Sequence, residues 1–129
     1  MIHEEICTYE VCKLAKKKGF PQDVFGTCEM KSSCYLEDGR FYKDGCIYPI
    51  ENAYTAPTQS LLQRWLREEK GVHIVNHIFK DMNADIKFFY RIYKDEKSAV
   101  TCGYLPKEYF ETYEQALEDA LAYSLKNLV

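Results

Sequence analysis

The residues of this chain that could do chemistry are its histidines, its six cysteines, a pair of helical acids and a run of lysines. His73 and His77 have the H-x3-H spacing that on a helix aims two imidazoles at one ion. Both fall in a segment whose pattern predicts a strand. There, four residues at about 3.3 Å each hold the rings roughly 13 Å apart, too far to share a metal. The cysteines stand at 7, 12, 28, 34, 46 and 102, with no C-x2-C pair among them. Cys28, Cys34 and Cys46 could converge on a metal or lie as buried thiols, and the sequence leaves both open. The content is below that of a disulfide scaffold, so free intracellular thiols packed as small apolar groups are expected.

Nucleophilic catalysis needs a thiolate or alkoxide beside a base. The three histidines belong to no local signature of that kind, and Cys102 precedes Gly103 in a predicted strand, where a bulge is the usual reason for glycine. No G-x-G-x-x-G or Walker-type loop occurs. Glu114 and Glu118 are spaced i,i+4, with Glu111 and Asp119 nearby, but the opposite side of their helix is apolar. They read as a solvated outer face. No catalytic residue, metal or cofactor is expected, and the chain reads as a non-enzyme.

Binding is the better-supported chemistry. Lys16, Lys17 and Lys18, with Lys13 a turn earlier, could contact a phosphate backbone. They also complement the dipole of a helix C-terminus. Arg64 and Arg67 lie on the outer side of a second helix and are candidates for a protein partner. The segment TYEVCKLAKKKGF resembles the first helix of a helix-turn-helix, but no recognition helix follows it. The order helix, three strands, helix over 57–128 is that of a double-stranded-RNA-binding domain. The last helix there opens on Glu111, Glu114 and Glu118 in place of the basic start such a module needs.

These residues are positioned by a helix, a small meander, a helix, three strands and a helix, an α+β chain with a mainly antiparallel sheet. Thr8 caps the first helix and Gly19 ends it, with Cys7 and Cys12 at the positions of a hydrophobic staple. Asp38-Gly39 and Asp44-Gly45 predict tight turns in a meander over 33–37, 40–43 and 46–49. The segment 20–31 reads as an irregular connector, and 49–57 as a loop. Thr55 is read as the cap of the second helix, with Leu61, Leu62, Trp65 and Leu66 sharing its apolar face and Gly71 ending it. Strands at 72–79 and 86–94 are apolar in both alternating sets, which predicts cover on both faces. A third strand spans 99–105. Thr112 and Gln115 open the last helix with capping-box spacing.

The chain has 129 residues, 47% of them hydrophobic, with eleven tyrosines and a net charge of −3. That composition supports one packed α+β domain over 1–129 and argues against a strongly electrostatic nucleic-acid binder. No apolar run reaches membrane-spanning length, and no secretory signal opens the chain. A sheet needing two covers leaves room for a second copy, so a homodimer is expected as one solution.

The segment 54–74, YTAPTQSLLQRWLREEKGVHI, with CTYEVCKLAKKKGF before it and TYEQALEDALAYSLKNL at the end, resembles a group of small proteins from phages and mobile elements of Bacteroides-type gut bacteria. The resemblance implies a cytoplasmic accessory protein with no known activity. Cys12 stands where that group commonly carries Ala, which favours a packing role there. The expected function is a protein-interaction module with an unidentified partner, and the alternative is a small nucleic-acid-associated regulator using the lysine end of the first helix.

Overall fold

The computed structural model describes residues 4–25, 29–45, 47–95, 100–104 and 109–129. It is an α+β fold whose sheets are antiparallel. The chain divides into two compact units, residues 1–58 and 59–129.

In the first unit, α1 (Tyr9–Lys17) begins where Thr8 Oγ1 accepts from the Val11 N–H at 3.5 Å. It stops at Gly19, whose φ of +97° only glycine adopts easily. Cys7 and Cys12 are fully buried thiols outside any disulfide, and the Cys12 thiol donates to the Cys7 carbonyl at 3.7 Å, so the expected staple forms. The connector is more ordered than its composition suggests. β1 (Val24–Phe25) pairs with β2 (Glu29–Met30). Gln22 Oε1 accepts from the Thr55 N–H, and Thr55 Oγ1 accepts from the Asp23 N–H, each at 2.8 Å.

The meander forms with a different third strand. β3 (Cys34–Leu36) pairs with β4 (Phe41–Tyr42) on one side and β5 (Ala53–Thr55) on the other. The β3–β4 turn has positive φ at Gly39 alone, with bonds from Gly39 N to Leu36 O and from Leu36 N to Arg40 O. That is a three-residue loop closed by a bulge, in place of the two-residue turn expected. Residues 47–49 lie outside the strands, because Pro49 has no N–H for a ladder and the chain instead makes a 3-10 turn at Ile50–Asn52. Thr55 is therefore a strand residue whose hydroxyl holds Asp23, which leaves it no helix to cap.

Cys34 lies at the centre of this sheet, fully buried against Met30, Leu36 and Ala53. It is disulfide-bonded, so the expectation of free thiols holds for Cys7 and Cys12 and fails for Cys34. Its partner, like Cys28, Cys46 and the side chain of Cys102, lies outside the described residues.

In the second unit, α2 (Gln59–Lys70) is followed by β6 (Val72–Lys80), β7 (Ile86–Asp95), β8 (Val100–Tyr104) and α3 (Tyr113–Asn127). The strand order is β6-β7-β8. α2 buries Gln59, Leu62 and Leu66, which recur at i, i+3 and i+7. Leu61 lies about 100° off that stripe and is 51% exposed, so it is not part of the expected apolar face. Thr112 caps α3, its Oγ1 accepting from the Gln115 N–H at 3.1 Å.

Both helices pack against β6 and each other, and α3 also against β7. Val72, Ile74, Tyr90 and Ile92, all of one strand parity, are buried beneath them. Among the described residues both helices lie on one side, and the residues of the other parity stay partly open, with Val75 40% exposed. The expected second cover is therefore not supplied by the helices of the single chain. Their aromatic rings pack on one another instead.

Gln59 joins the two helices: its buried amide donates to the Glu114 carbonyl at 3.0 Å and to Glu118 Oε2 at 2.7 Å. Replacing it by leucine keeps the volume and removes both bonds, one of them to a charged group. Gln59→Leu is expected to lower the unfolding free energy by about 1.5–3 kcal/mol. Leu61→Ala should stay within about 0.5 kcal/mol. Urea denaturation of both variants checks the contrast.

Candidate functional site

The lysine end of α1 is part of a groove. A cavity of about 560 Å³ is lined by Glu10, Lys13, Leu14, Lys16, Lys17, Glu51 and Tyr54. The Lys16 ammonium donates to the Ala53 carbonyl at 2.9 Å and sits 5.2 Å from the Tyr54 ring centroid. Burial lowers its pKa, opposed by the charges of Glu51 and Glu37. Lys13 and Lys17 are exposed, with Lys13 Nζ 6.0 Å from the Tyr9 ring. Lys18 is the C-cap, its main-chain N–H bonded to Leu14 O and Ala15 O. The three lysines of the run thus differ: Lys16 works inside the unit, Lys17 faces solvent and Lys18 closes the helix. Glu10 and Glu51 interleave with them, so the groove is mixed in charge.

Arg64 and Arg67 belong to the second unit, both exposed on α2. Arg64 Nε meets Glu68 Oε1 at 3.0 Å across one helical turn, and Arg67 is directed outward. The acids do not assemble into a centre. Glu118 accepts from Gln59, Glu111 pairs with Lys87, and Asp119 accepts from the buried Tyr90 hydroxyl. Among the described residues, no three His, Cys, Asp or Glu side chains are grouped to hold a metal.

His73 and His77 occupy one face of β6, as strand geometry requires. His73 Nε2 lies 3.1 Å from Asp95 Oδ2. His77 stacks on Phe89 with centroids 4.9 Å apart, and its buried Nε2 has no hydrogen-bond partner. Phe79 and Tyr109 complete the cluster, both edge-on or tilted against Phe89 or each other. Arg91 and Val75 lie directly opposite one another in the middle of this face. On the helix side, Asn76 faces Tyr90 across the ladder, and both polar atoms of its buried amide lack a partner.

β6 is also an edge. The bond from Asp95 N to Gly71 O sets the phase of the β6–β7 ladder, so odd-numbered residues of β6 bond to β7. The main-chain groups of Val72, Ile74, Asn76, Ile78 and Lys80 therefore point away from it. Gln63 of α2 covers one of these, donating to the Ile74 carbonyl at 3.0 Å. Farther along, Ile78 is 62% exposed and Ile86, near it on β7, is 50% exposed.

This open face and edge were missed because apolar content in both alternating sets was read as double burial. A signal was present. The odd set of β7 is charged within the strand, at Lys87 and Arg91, while the even set is uncharged from Ile86 to Ile92 and charged only at Lys94 near the strand end. Charge in mid-strand marks the wetter face even when aromatics share it.

No helix among the described residues is long and apolar enough to cross a membrane. Compared with known proteins, the chain matches no family model, and no curated protein or solved structure is significantly similar to it.

Proposed function

We propose that this protein is a non-enzymatic protein-interaction module of phage or mobile-element type, acting in the cytoplasm. The observation that carries this reading is the partly open side of the β6–β7 hairpin, where, among the described residues, an aromatic cluster, Val75 and Arg91 lie together. Aromatic and arginine side chains are among the residue types that anchor protein interfaces, and Tyr109 and Arg91 are exposed here. The resemblance of the A-P-T-Q segment supplies the phage or mobile-element origin.

Tagged protein recovered gently from its host is expected to retain a partner that Val75→Glu or Arg91→Glu releases and Lys17→Gln does not. If the purified chain instead turns over hydrolase or transferase substrates, and one change at a Cys or Glu abolishes this, the reading fails.

The exposed Lys13 and Lys17 beside the α1 groove favour a second reading, a nucleic-acid-associated regulator. The interleaved Glu10 and Glu51 oppose it. A mobility-shift assay at low and moderate salt is expected to show no shift. A low-salt shift removed by neutralising Lys13 and Lys17 would reverse the ranking of the two readings.

The cytoplasmic placement has its own test at Cys34. Protein disulfides are rare in a reducing cytosol. The Cys34 disulfide opposes that placement. Because Cys34 is fully buried, the test is alkylation after acid quenching and denaturation, which labels Cys34 without prior reduction if the chain is cytoplasmic. Labelling only after a reductant is added would place the chain in an oxidising compartment.

A further inference from the structure

We infer that the free edge of β6 is a self-pairing surface, on which a second copy of this chain adds its own β6 antiparallel about a two-fold axis through Ile78. This rests on the interaction reading above and names the partner as the chain itself.

The main chain supplies the first argument. Asn76, Ile78 and Lys80 direct N–H and C=O groups outward, and no described residue bonds them on that side. The edge has no proline and no bulge against β7, and only its last residue is a lysine, so it lacks the usual guards against strand addition. Toward its start, Gln63 already occupies the Ile74 carbonyl.

Those facts select the register. In an antiparallel self-pair, a two-fold at Asn76 or at His77 would bring Ile78 or Lys80 of the second copy opposite Ile74 and compete with Gln63. A two-fold at Lys80 would set two ammonium groups directly opposite, which is destabilising. At Phe79, Asn76 would fall opposite Met82, beyond the end of the strand. With the axis at Ile78, Asn76 meets Lys80 of the second copy and Ile78 meets its equivalent. All three open residues are then paired and Gln63 stays in place.

The side chains agree with this register on both faces. On the helix side, two Ile78 side chains, each 62% exposed in the single chain, cover one another. On the open side, His77 lies opposite Phe79 of the second copy, so the His77–Phe89–Phe79 cluster becomes continuous through the interface. Asp81 of the second copy comes opposite Val75, whose other neighbour is the exposed Arg91, placing opposite charges on either side of Val75. The contact is isologous and closes after two copies.

Sedimentation equilibrium of the full chain over a concentration series, with Ile78→Lys in parallel, tests the pairing. The wild type is expected to dimerise, and Ile78→Lys to weaken the dimer by about tenfold or more, since it opposes like charges at the axis. Circular dichroism should be unchanged, because the replaced side chain is exposed. The register is tested by mild oxidation of Ile78→Cys and Val75→Cys beside the wild type. Hydrogen-bonded antiparallel pairs place Cα atoms about 5.5 Å apart, a separation that suits a disulfide. Residue 75 of one copy would lie roughly 20 Å from its equivalent. A covalent dimer specific to Ile78→Cys supports the proposal. A wild type that stays monomeric throughout, a dimer indifferent to Ile78→Lys, or cross-linking at 75 in place of 78 overturns it. A monomer that still loses a different partner on Val75→Glu or Arg91→Glu overturns self-pairing alone and leaves the interaction reading standing.

Discussion

The second unit depends on one constraint: two amphipathic helices and one three-stranded sheet have a single apolar face to share. α2 and α3 contact each other as well as β6, so both lie over the strip made by Val72, Ile74, Tyr90 and Ile92. Among the described residues, both helices of the unit are committed to that strip. The opposite side must then be stabilised by contacts among its own residues, and the aromatic cluster around Phe89 provides them. Rings in tilted and edge-on arrangements contribute about 0.5–1.5 kcal/mol per pair beyond their burial. The open face is thus a consequence of how many helices are available, and its aromatic content is a consequence of being open.

The first unit solves a different problem. Its strands are short, β4 and β5 having two and three residues, so ladder bonds alone hold little. Side-chain clamps replace them. Gln22 and Thr55 exchange bonds with neighbouring main chain, Lys16 reaches the Ala53 carbonyl, and Tyr35 donates to the Cys7 carbonyl at 3.0 Å. Tyr9 bridges the same region, its ring edge-on to both Tyr35 and Tyr54 and its hydroxyl bonded to the Glu37 carbonyl. Tyr9 and Tyr35 serve this purpose, each filling space with its ring while its hydroxyl satisfies a main-chain carbonyl.

The sequence made the helices and long strands legible because each is governed by local terms. Thr8, Thr112, Gly19 and Gly71 act on their own neighbours, and the period of Leu62 and Leu66 needs only the chain itself. The failures are non-local. Thr55 has the chemistry of a cap, but its hydroxyl is taken by Asp23, thirty-two residues earlier. β5 pairs with β3 across an intervening strand, which no turn signal announces. Which set of β7 meets the helices is decided by residues on α3. The disulfide at Cys34 is likewise a relation between distant positions, invisible in a spacing that matches no familiar framework. The candidate surface shares this character, since an edge exists only once the strand order is known.

Gly71 joins α2 to β6 without a loop. A Cβ there would sit 3.1 Å from the Cβ of Asp95, and its φ of +65° is already left-handed. The joint is therefore closed to change in length as well as in side chain, because inserting one residue would rotate α2 and flip the parity of β6 together. The far end of the same hairpin is built oppositely, with Met82 fully exposed in a turn held by Asp81. Variation in length among related chains should accordingly collect at the 81–85 turn and be absent at 70–72. The unit has one fixed end and one adjustable end, and evolution can extend the hairpin without altering which residues face out.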